Sequence, residues 1–205
     1  MSPGHTTDRV YDLLKRQVMT GERRPGEHLD PARLAADLHA STTPVRDALH
    51  QLYAERMVEA WPREGFKVPT PTESALRDLY TWNGDLLIIL LRGKTMEAKS
   101  CVAASGAADH AEGAGAIFAD MAAAFGNGEH RHAIGAASDR LHLARLAESQ
   151  VFSGIPEELN AITGAWSLGR LHDLRSALVR YHRLRQRSVS SIVARMLVPI
   201  GDRKS

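Results

Sequence analysis

A short polar stretch in the first quarter of the chain carries side chains suited to binding a phosphate backbone. Three hydroxyls, a basic group and an imidazole follow spacings that place them on one side of a helix: Ser41, Thr42, Thr43, Arg46 and His50. Free N–H groups and the helix dipole attract anions to a helix N-terminus. An arginine one turn further can contact phosphate or a base edge. The pattern indicates a nucleic-acid contact surface; a solvated face on an ordinary helix pair is the alternative.

Two short predicted helices would hold this polar face in place. Asp30 followed by Pro31 predicts the start of the first, because aspartate caps free N–H groups and proline is tolerated in the first turn. The second helix has an apolar stripe at the spacing of a buried face, formed by Val45, Ala48, Leu49 and Leu52. Its cap is either Ser41 or Thr43. We favour Thr43, because the residue before a proline is biased away from the α conformation.

The segment after these helices predicts a β-hairpin. Residues 58–61 and 66–68 are short runs on either side of a turn that ends at Gly65. We expect Gly65 to lie at the tip, either with a positive φ or close to a nucleic-acid backbone, flanked by Arg63 and Lys67. Three side chains are assigned to the core: Trp61, Phe66 and Val68.

Residues 25–68 also combine several short motifs in a fixed order. These are Pro25-Gly26-Glu27, Leu34-Ala35, the run STTPVRDAL at 41–49, Met57-Val58, and finally Gly65 and Val68. The combination resembles the DNA-binding domain of the GntR family of bacterial transcription regulators. Two positions depart from the family pattern: Thr42 stands where the family usually has an arginine that contacts DNA, and Arg56 replaces a common glycine. The first departure suggests an altered base preference or a weaker affinity.

The resemblance implies a winged helix-turn-helix whose second helix enters the major groove of double-stranded DNA. The candidate DNA-contacting residues are Arg24, Arg33, Ser41, Thr42, Thr43, Arg46, His50, Arg63, Gly65 and Lys67. Because one recognition helix covers only half a site, the resemblance also implies a homodimer on a palindromic operator.

Length and composition define the setting of this domain. The 205 residues suffice for two domains, which we place at 5–71 and 72–205. Cys101 is the one cysteine, so an intrachain disulfide is excluded, which fits a reducing cytoplasm. The longest apolar run is too short to span a bilayer, and the N-terminus lacks the layout of a signal peptide. We therefore expect a cytoplasmic protein with no membrane partner.

Charge is distributed unevenly along the chain, although the net charge is only +2. Residues 1–77 carry 11 basic and 11 acidic side chains, residues 78–165 carry 6 and 11, and residues 166–205 carry 9 and 2. DNA affinity must therefore come from the position of the charges in the first segment rather than from their sum. The basic C-terminal segment could pair with the acidic middle, contact DNA non-specifically, or form a solvated helix face.

The second domain reads as all-helical, which makes the fold class mainly α. Helices are predicted at 73–91, 95–104, 110–125, 129–150, 156–166 and 168–197. The first of them has a helical stripe interrupted by Asn83. Gly84 costs a helix about 1 kcal/mol relative to alanine, so this helix is expected to kink or split near Trp82.

One helix of the second domain contains the motif Ser138-Asp139-Arg140-Leu141-His142. It is similar to the Asp/Asn-x-x-Phe-His motif in the effector-binding domain of the FadR branch, where an Asp and three His often hold a metal. Here Ser138 occupies the carboxylate position, and Asp139 points about 100° around the helix. His172 and His182 lack the expected local pattern. We therefore expect no metal or other cofactor, and a pocket at Ser138, Asp139 and His142 for a small organic effector.

The chain shows no arrangement of nucleophile and base, no phosphate-binding glycine loop and no zinc-protease motif, so an enzyme is not expected. The function that the sequence favours is a DNA-binding transcription regulator controlled by a small organic effector. The alternative is a DNA-binding module whose helical domain serves only dimerisation or a protein partner.

Overall fold

The computed structural model describes residues 3–61, 65–92, 109–125 and 127–198. These residues form two compact units: an N-terminal unit that ends at Pro71 and a helical unit that spans Thr72–Met196. The predicted fold class is confirmed, with a small antiparallel sheet in the first unit and helices in the second. None of the helices in the described ranges has the length and apolar character needed to cross a membrane.

The N-terminal unit contains three helices and a three-stranded sheet. Its elements are α1 (Pro3–Thr20), β1 (His28–Leu29), α2 (Pro31–Asp37), α3 (Thr42–Ala54), β2 (Glu59–Trp61) and β3 (Gly65–Lys67). The strand order is β1-β3-β2, with all pairs antiparallel. Phe66 of β3 lies opposite Leu29 and Ala60. Its buried ring belongs to the core formed by the apolar faces of the three helices, including Val10, Leu14, Leu34, Val45, Ala48, Leu49 and Leu52.

The starts of α2 and α3 show how local sequence sets the helix pair. The Asp30 carboxylate accepts a hydrogen bond from the Arg33 N–H at 2.7 Å, which confirms the predicted cap. For α3 the preference for Thr43 is wrong, because Ser41 occupies the N-cap position and the helix begins at Thr42. Pro44 lies in the first turn, where its missing N–H leaves no helical hydrogen bond unmade, so Thr43 remains helical.

Arg56, which replaces a common family glycine, ends α3 in a left-handed conformation with φ 59°. Its N–H donates to the Tyr53 carbonyl at 3.0 Å, and the Met57 N–H donates to the Leu52 carbonyl at 2.8 Å. This hydrogen-bond pair is a Schellman motif, whose left-handed position normally holds glycine. An arginine there carries the steric cost of its Cβ against the backbone.

Arg56→Gly should therefore raise the free energy of unfolding by about 1 kcal/mol, because relief of the left-handed strain exceeds the added entropy of the unfolded chain. Urea unfolding of the full chain measures the change. Arg56→Ala is the control: it keeps the Cβ and should bring no comparable gain. Equal stability of the glycine and alanine variants would contradict this explanation.

The helical unit contains α4 (Glu73–Leu90), α5 (His110–Ala124), α6 (Gly128–Glu148), α7 (Ile155–Ser167), α8 (Leu171–Arg187) and α9 (Val189–Met196). The predicted helix at 168–197 is thus two helices that separate at Ser188. The two pack into different cores: α8 contributes Leu174 and Leu178 to one, and α9 contributes Val189 and Ile192 to the other. The predicted helix at 95–104, with Cys101, lies outside the described residues.

The expected break in α4 is wrong, because the helix continues through Asn83 and Gly84. A Cβ on Gly84 would lie 3.0 Å from Cγ of the His182 ring. The glycine therefore allows α8 to pack closely on the α4 backbone, and this packing offsets its low helix propensity. The predicted stripe is buried along the whole helix, and Asn83 is buried with it.

Candidate functional site

The two faces of α3 have opposite chemical character. Val45, Ala48 and Leu49 are fully buried, so this side of the helix is fixed against the N-terminal core. The other side is open to solvent and carries the predicted contact residues Ser41, Thr42, Thr43, Arg46 and His50. Because Ser41 makes no side-chain capping bond, the start of α3 keeps its hydroxyls and free N–H groups available to an anion.

The side chains around the hairpin are partly engaged with one another. The Lys67 ammonium lies 3.2 Å from the Glu59 carboxylate and 4.0 Å from the centre of the Trp61 ring. The His50 ring packs edge-on against Phe66 at 5.1 Å, which connects α3 to β3. The assignment of Trp61 to the core is wrong: β2 is an edge strand, and Trp61 is 44% exposed.

Gly65 has the positive φ expected for it, at 91°. It pairs with Trp61 as the first residue of β3, so it lies at the end of the hairpin turn. A Cβ at this position would lie 3.8 Å from the Leu29 carbonyl oxygen, which is an ordinary contact. The backbone conformation, rather than crowding, therefore explains the glycine. Arg63 lies outside the described residues.

Two further predicted contact residues, Arg24 and Arg33, are exposed near the start of α2. Their backbone N–H groups are used locally, by the carboxylates of Glu27 and Asp30 respectively. The neighbouring Arg23 has a different role, because its guanidinium pairs with Glu27 at 3.1 Å. The side chains of Arg24 and Arg33 are therefore the better placed of the three to meet a phosphate.

The helical unit contains a buried cluster of polar residues that the sequence analysis did not predict: Asn83, Arg145, Glu148, His182 and Arg185. Glu148 is at its centre. Its carboxylate accepts hydrogen bonds from the Tyr80 hydroxyl and from Arg185 Nε at 3.0 Å, and lies 2.7 Å from His110 Nε2. Burial alone would raise the pKa of Glu148, but the hydrogen bond from His110 and the charge of Arg185 hold that pKa below its ordinary value.

Arg185 is held from two sides, because its Nη1 also donates to Glu158 at 2.6 Å. His182 is buried beside it, with Nδ1 2.8 Å from the Leu178 carbonyl oxygen and Nε2 3.0 Å from the Asn83 side-chain oxygen. Burial lowers the pKa of His182 to about 4, so the ring is neutral at pH 7. With Nδ1–H donating to the Leu178 carbonyl, the imidazole is fixed in one tautomer.

The predicted pocket residues lie on the same helix as two members of this cluster. The Ser138 hydroxyl is buried and lacks a hydrogen-bond partner. Asp139 and His142 are partly exposed, and burial lowers the pKa of His142. Within the described ranges, no three His, Cys, Asp or Glu side chains are grouped closely enough to hold a metal ion.

A sequence signal for the buried cluster exists in α6. The buried positions of this helix, at a spacing of three or four, include Ile134, Ala137, Leu141 and Ala144. Arg145 and Glu148 continue the same stripe. Charged residues within an apolar stripe indicate buried, paired charges rather than an interrupted core.

Residues 6–68 match the family model described as "Bacterial regulatory proteins, gntR family". The uncharacterized HTH-type transcriptional regulator YdhC of Bacillus subtilis (strain 168) is 29% identical over 34% of this chain and 31% of that protein. The HTH-type transcriptional repressor GlaR of Escherichia coli (strain K12) is 30% identical over 40% of this chain and 37% of that protein. In each case the similarity spans little more than a third of the curated relative.

Solved structures resemble a larger part of the chain. A crystal structure described as a transcriptional regulator GntR from Rhodococcus sp. RHA1 has a TM-score of 0.75 and 19% identity, over 90% of this chain and 97% of that chain. The E. coli protein McbR/YncC has a TM-score of 0.62 and 16% identity, over 90% of this chain and 97% of that chain. At these identities the likeness establishes the fold of both units and not a shared ligand or target.

Proposed function

Because residues 6–68 form a GntR-family helix-turn-helix domain, we propose that the chain is a transcription regulator that binds a palindromic DNA operator as a homodimer and responds to a small organic effector. Residues 5–71 bind DNA, and residues 72–205 form an effector-binding and dimerisation domain of the FadR type. The observation that carries the DNA-binding role is the solvent-exposed polar face of α3, held rigidly by its buried opposite face.

In this proposal α3 enters the major groove with its N-terminus first. The hydroxyls of Ser41, Thr42 and Thr43, together with the free N–H groups, contact phosphate. Arg46 lies one turn further along the helix, where a guanidinium can reach the O6 and N7 atoms of a guanine. The remaining contacts to the backbone or the minor groove come from Arg24, Arg33, His50, Arg63, Gly65 and Lys67.

Selection from a library of random DNA duplexes tests this function. The full-length wild-type protein should enrich two inverted half-sites whose centres lie about one helical turn, ~34 Å, or a multiple of it apart. Failure to enrich any sequence above a duplex-binding background would contradict an operator-binding role.

Arg46→Ala should weaken binding to the selected operator by about 1–3 kcal/mol, or roughly 5- to 150-fold in Kd, because a base-edge contact is lost. Fluorescence anisotropy at fixed salt measures the change. Arg77→Ala is the matched control: it removes the same charge from an exposed position of α4 and should leave the Kd nearly unchanged. Equal Kd values for the Arg46 variant and the wild type would mean that α3 does not face the bases.

The proposed homodimer has its own test. We expect light scattering at micromolar concentration to give twice the 22.5 kDa mass of the chain. A symmetric dimer is required because the two half-sites of a palindrome are related by a two-fold axis. A stable monomer at that concentration would contradict the palindromic-operator proposal.

The proposed effector response is supported by the buried polar cluster of the helical unit, because enclosed polar groups among apolar helices are typical of small-molecule sites. The proposal assigns no metal or other cofactor to the chain and no catalytic step. The similarity to the repressor GlaR favours repression as the outcome of operator binding. If the helical unit serves dimerisation alone, operator affinity should be insensitive to every small molecule.

A further inference from the structure

Arg145 differs from every other buried charge in the helical unit. Its side chain belongs to a residue that is only 1% exposed. Nη2 reaches the Asn83 side-chain oxygen at 3.5 Å, the long limit of a hydrogen bond, while Nε and Nη1 have no hydrogen-bond partner. By contrast, Arg185 pairs with the carboxylates of both Glu148 and Glu158. Among the residues that the structure describes, no carboxylate forms an ion pair with Arg145.

Other unused polar atoms lie around this guanidinium. The Asn83 amide nitrogen, the Ser138 hydroxyl and the Tyr181 hydroxyl are all buried without a hydrogen-bond partner. Ser138 lies two turns before Arg145 on the same face of α6, and long side chains on a helix point toward its N-terminus. The positive charge of Arg145 favours the phenolate form of Tyr181, although burial still raises the pKa of that hydroxyl to about 12. Four polar groups from three helices thus converge with their hydrogen-bonding capacity unmet.

The surroundings of the guanidinium are otherwise apolar or bare. Its Cζ lies 5.2 Å from the centre of the Phe118 ring. On α5 a Cβ at Gly115 would come within 3.8 Å of Nη1, so the helix backbone is uncovered there. A buried charge without a counter-charge is strongly unfavourable in a protein interior, and an anion is the group that would satisfy it.

We propose that Arg145 binds the carboxylate of a small organic acid, with Asn83, Ser138 and Tyr181 as neutral hydrogen-bonding partners and Phe118 against the apolar part of the ligand. This rests on the proposed function, because it names the chemical class of the effector. Arginine suits this role because its planar donors match the two oxygens of a carboxylate. A fixed positive charge at this point also disfavours a cationic ligand or a metal ion.

Thermal unfolding of the full chain with matched pairs of small molecules tests the assignment. The probes are formate, acetate, butanoate and benzoate as sodium salts, their primary amides, and sodium chloride at equal ionic strength. The variants are Arg145→Met, which removes the charge at similar length, and Arg131→Met, which removes an exposed charge from the same helix. Arg145→Lys keeps the charge but lacks the planar fork, and it replaces the methionine variant if that variant does not fold.

The expected result has two parts. At least one carboxylate raises the Tm of the wild type and the Arg131 variant in a concentration-dependent manner, more than its amide or chloride does, and has no such effect on Arg145→Met and a weaker one on Arg145→Lys. Without any ligand, Arg145→Met melts at a higher temperature than the wild type, because the unpaired charge is gone.

Other outcomes overturn the assignment and separate it from the proposed function. Carboxylate shifts that persist in the Arg145 variants would place the anion elsewhere. Amides that shift the Tm and release the operator, while carboxylates do neither, would preserve effector control but reject Arg145 as an anion anchor. No shift with any probe, together with a destabilised Arg145→Met, would reject the anchor and leave operator binding to its own test.

Discussion

Glu148→Ala is expected to lower the free energy of unfolding by about 3–5 kcal/mol, the usual cost of removing one partner from a buried ion pair. The carboxylate is the shared acceptor of Tyr80, His110 and Arg185, which come from three different helices. Its loss leaves the Tyr80 hydroxyl without its acceptor and Arg185 with only Glu158. Since whole domains have a net stability of about 5–15 kcal/mol, this single change should bring the helical unit close to unfolding at 37 °C.

Chemical denaturation followed by circular dichroism measures the effect. Glu158→Ala is the control, because it removes the other carboxylate bound to Arg185 from a partly exposed position. Screening by solvent should limit its cost to about 1 kcal/mol. If the two alanine variants were equally stable, Glu148 would not be the centre of the network.

Acidification from pH 6.5 to pH 4 should destabilise the helical unit by about 3 kcal/mol through His182 alone. Its folded-state pKa of about 4 lies below the ordinary value of 6.5. Between these values the unfolded chain binds a proton that the folded chain excludes. Stability therefore falls as the pH decreases through this window and is recovered above it.

The free energy of unfolding measured at several pH values tests this expectation. His182→Gln should remove most of the slope between pH 4 and 6.5, because glutamine does not titrate. His142→Gln is the control: burial also lowers its pKa, but its partial exposure should make the contribution smaller. Glu148 has a lowered pKa and adds a loss of the same sign at more acidic pH. A wild-type slope that survives unchanged in His182→Gln would refute the assignment.

The parts of the fold that depend on neighbouring residues could be predicted from the sequence. The Asp30 cap and the buried stripe of α3 involve contacts within one or two helical turns, and both were correct. The position of Trp61 was not predictable in this way, because whether it is buried depends on the strand order, which makes β2 an edge strand. A local rule also failed at Thr43, where first-turn geometry outweighed the bias against a helical residue before proline.

The buried cluster was missed for a related reason. Glu148 meets Tyr80 across 68 residues and Arg185 across 37, so no local pattern identifies the partners. The search for metal ligands focused on His142, while the charge that lacks a partner is Arg145, three residues later. Position 145 became conspicuous only once its burial and its unused hydrogen-bond donors were known.

The account depends most on the claim that the exposed face of α3 reads base edges. The most direct measurement is the affinity of the wild type and of Arg46→Ala for every single-base variant of the selected operator, at one salt concentration. We predict that the wild type discriminates by about 1–3 kcal/mol at one base pair of each half-site, and that Arg46→Ala loses this discrimination there and keeps it at other positions. Identical affinity profiles for the two proteins would contradict the placement of α3 in the major groove.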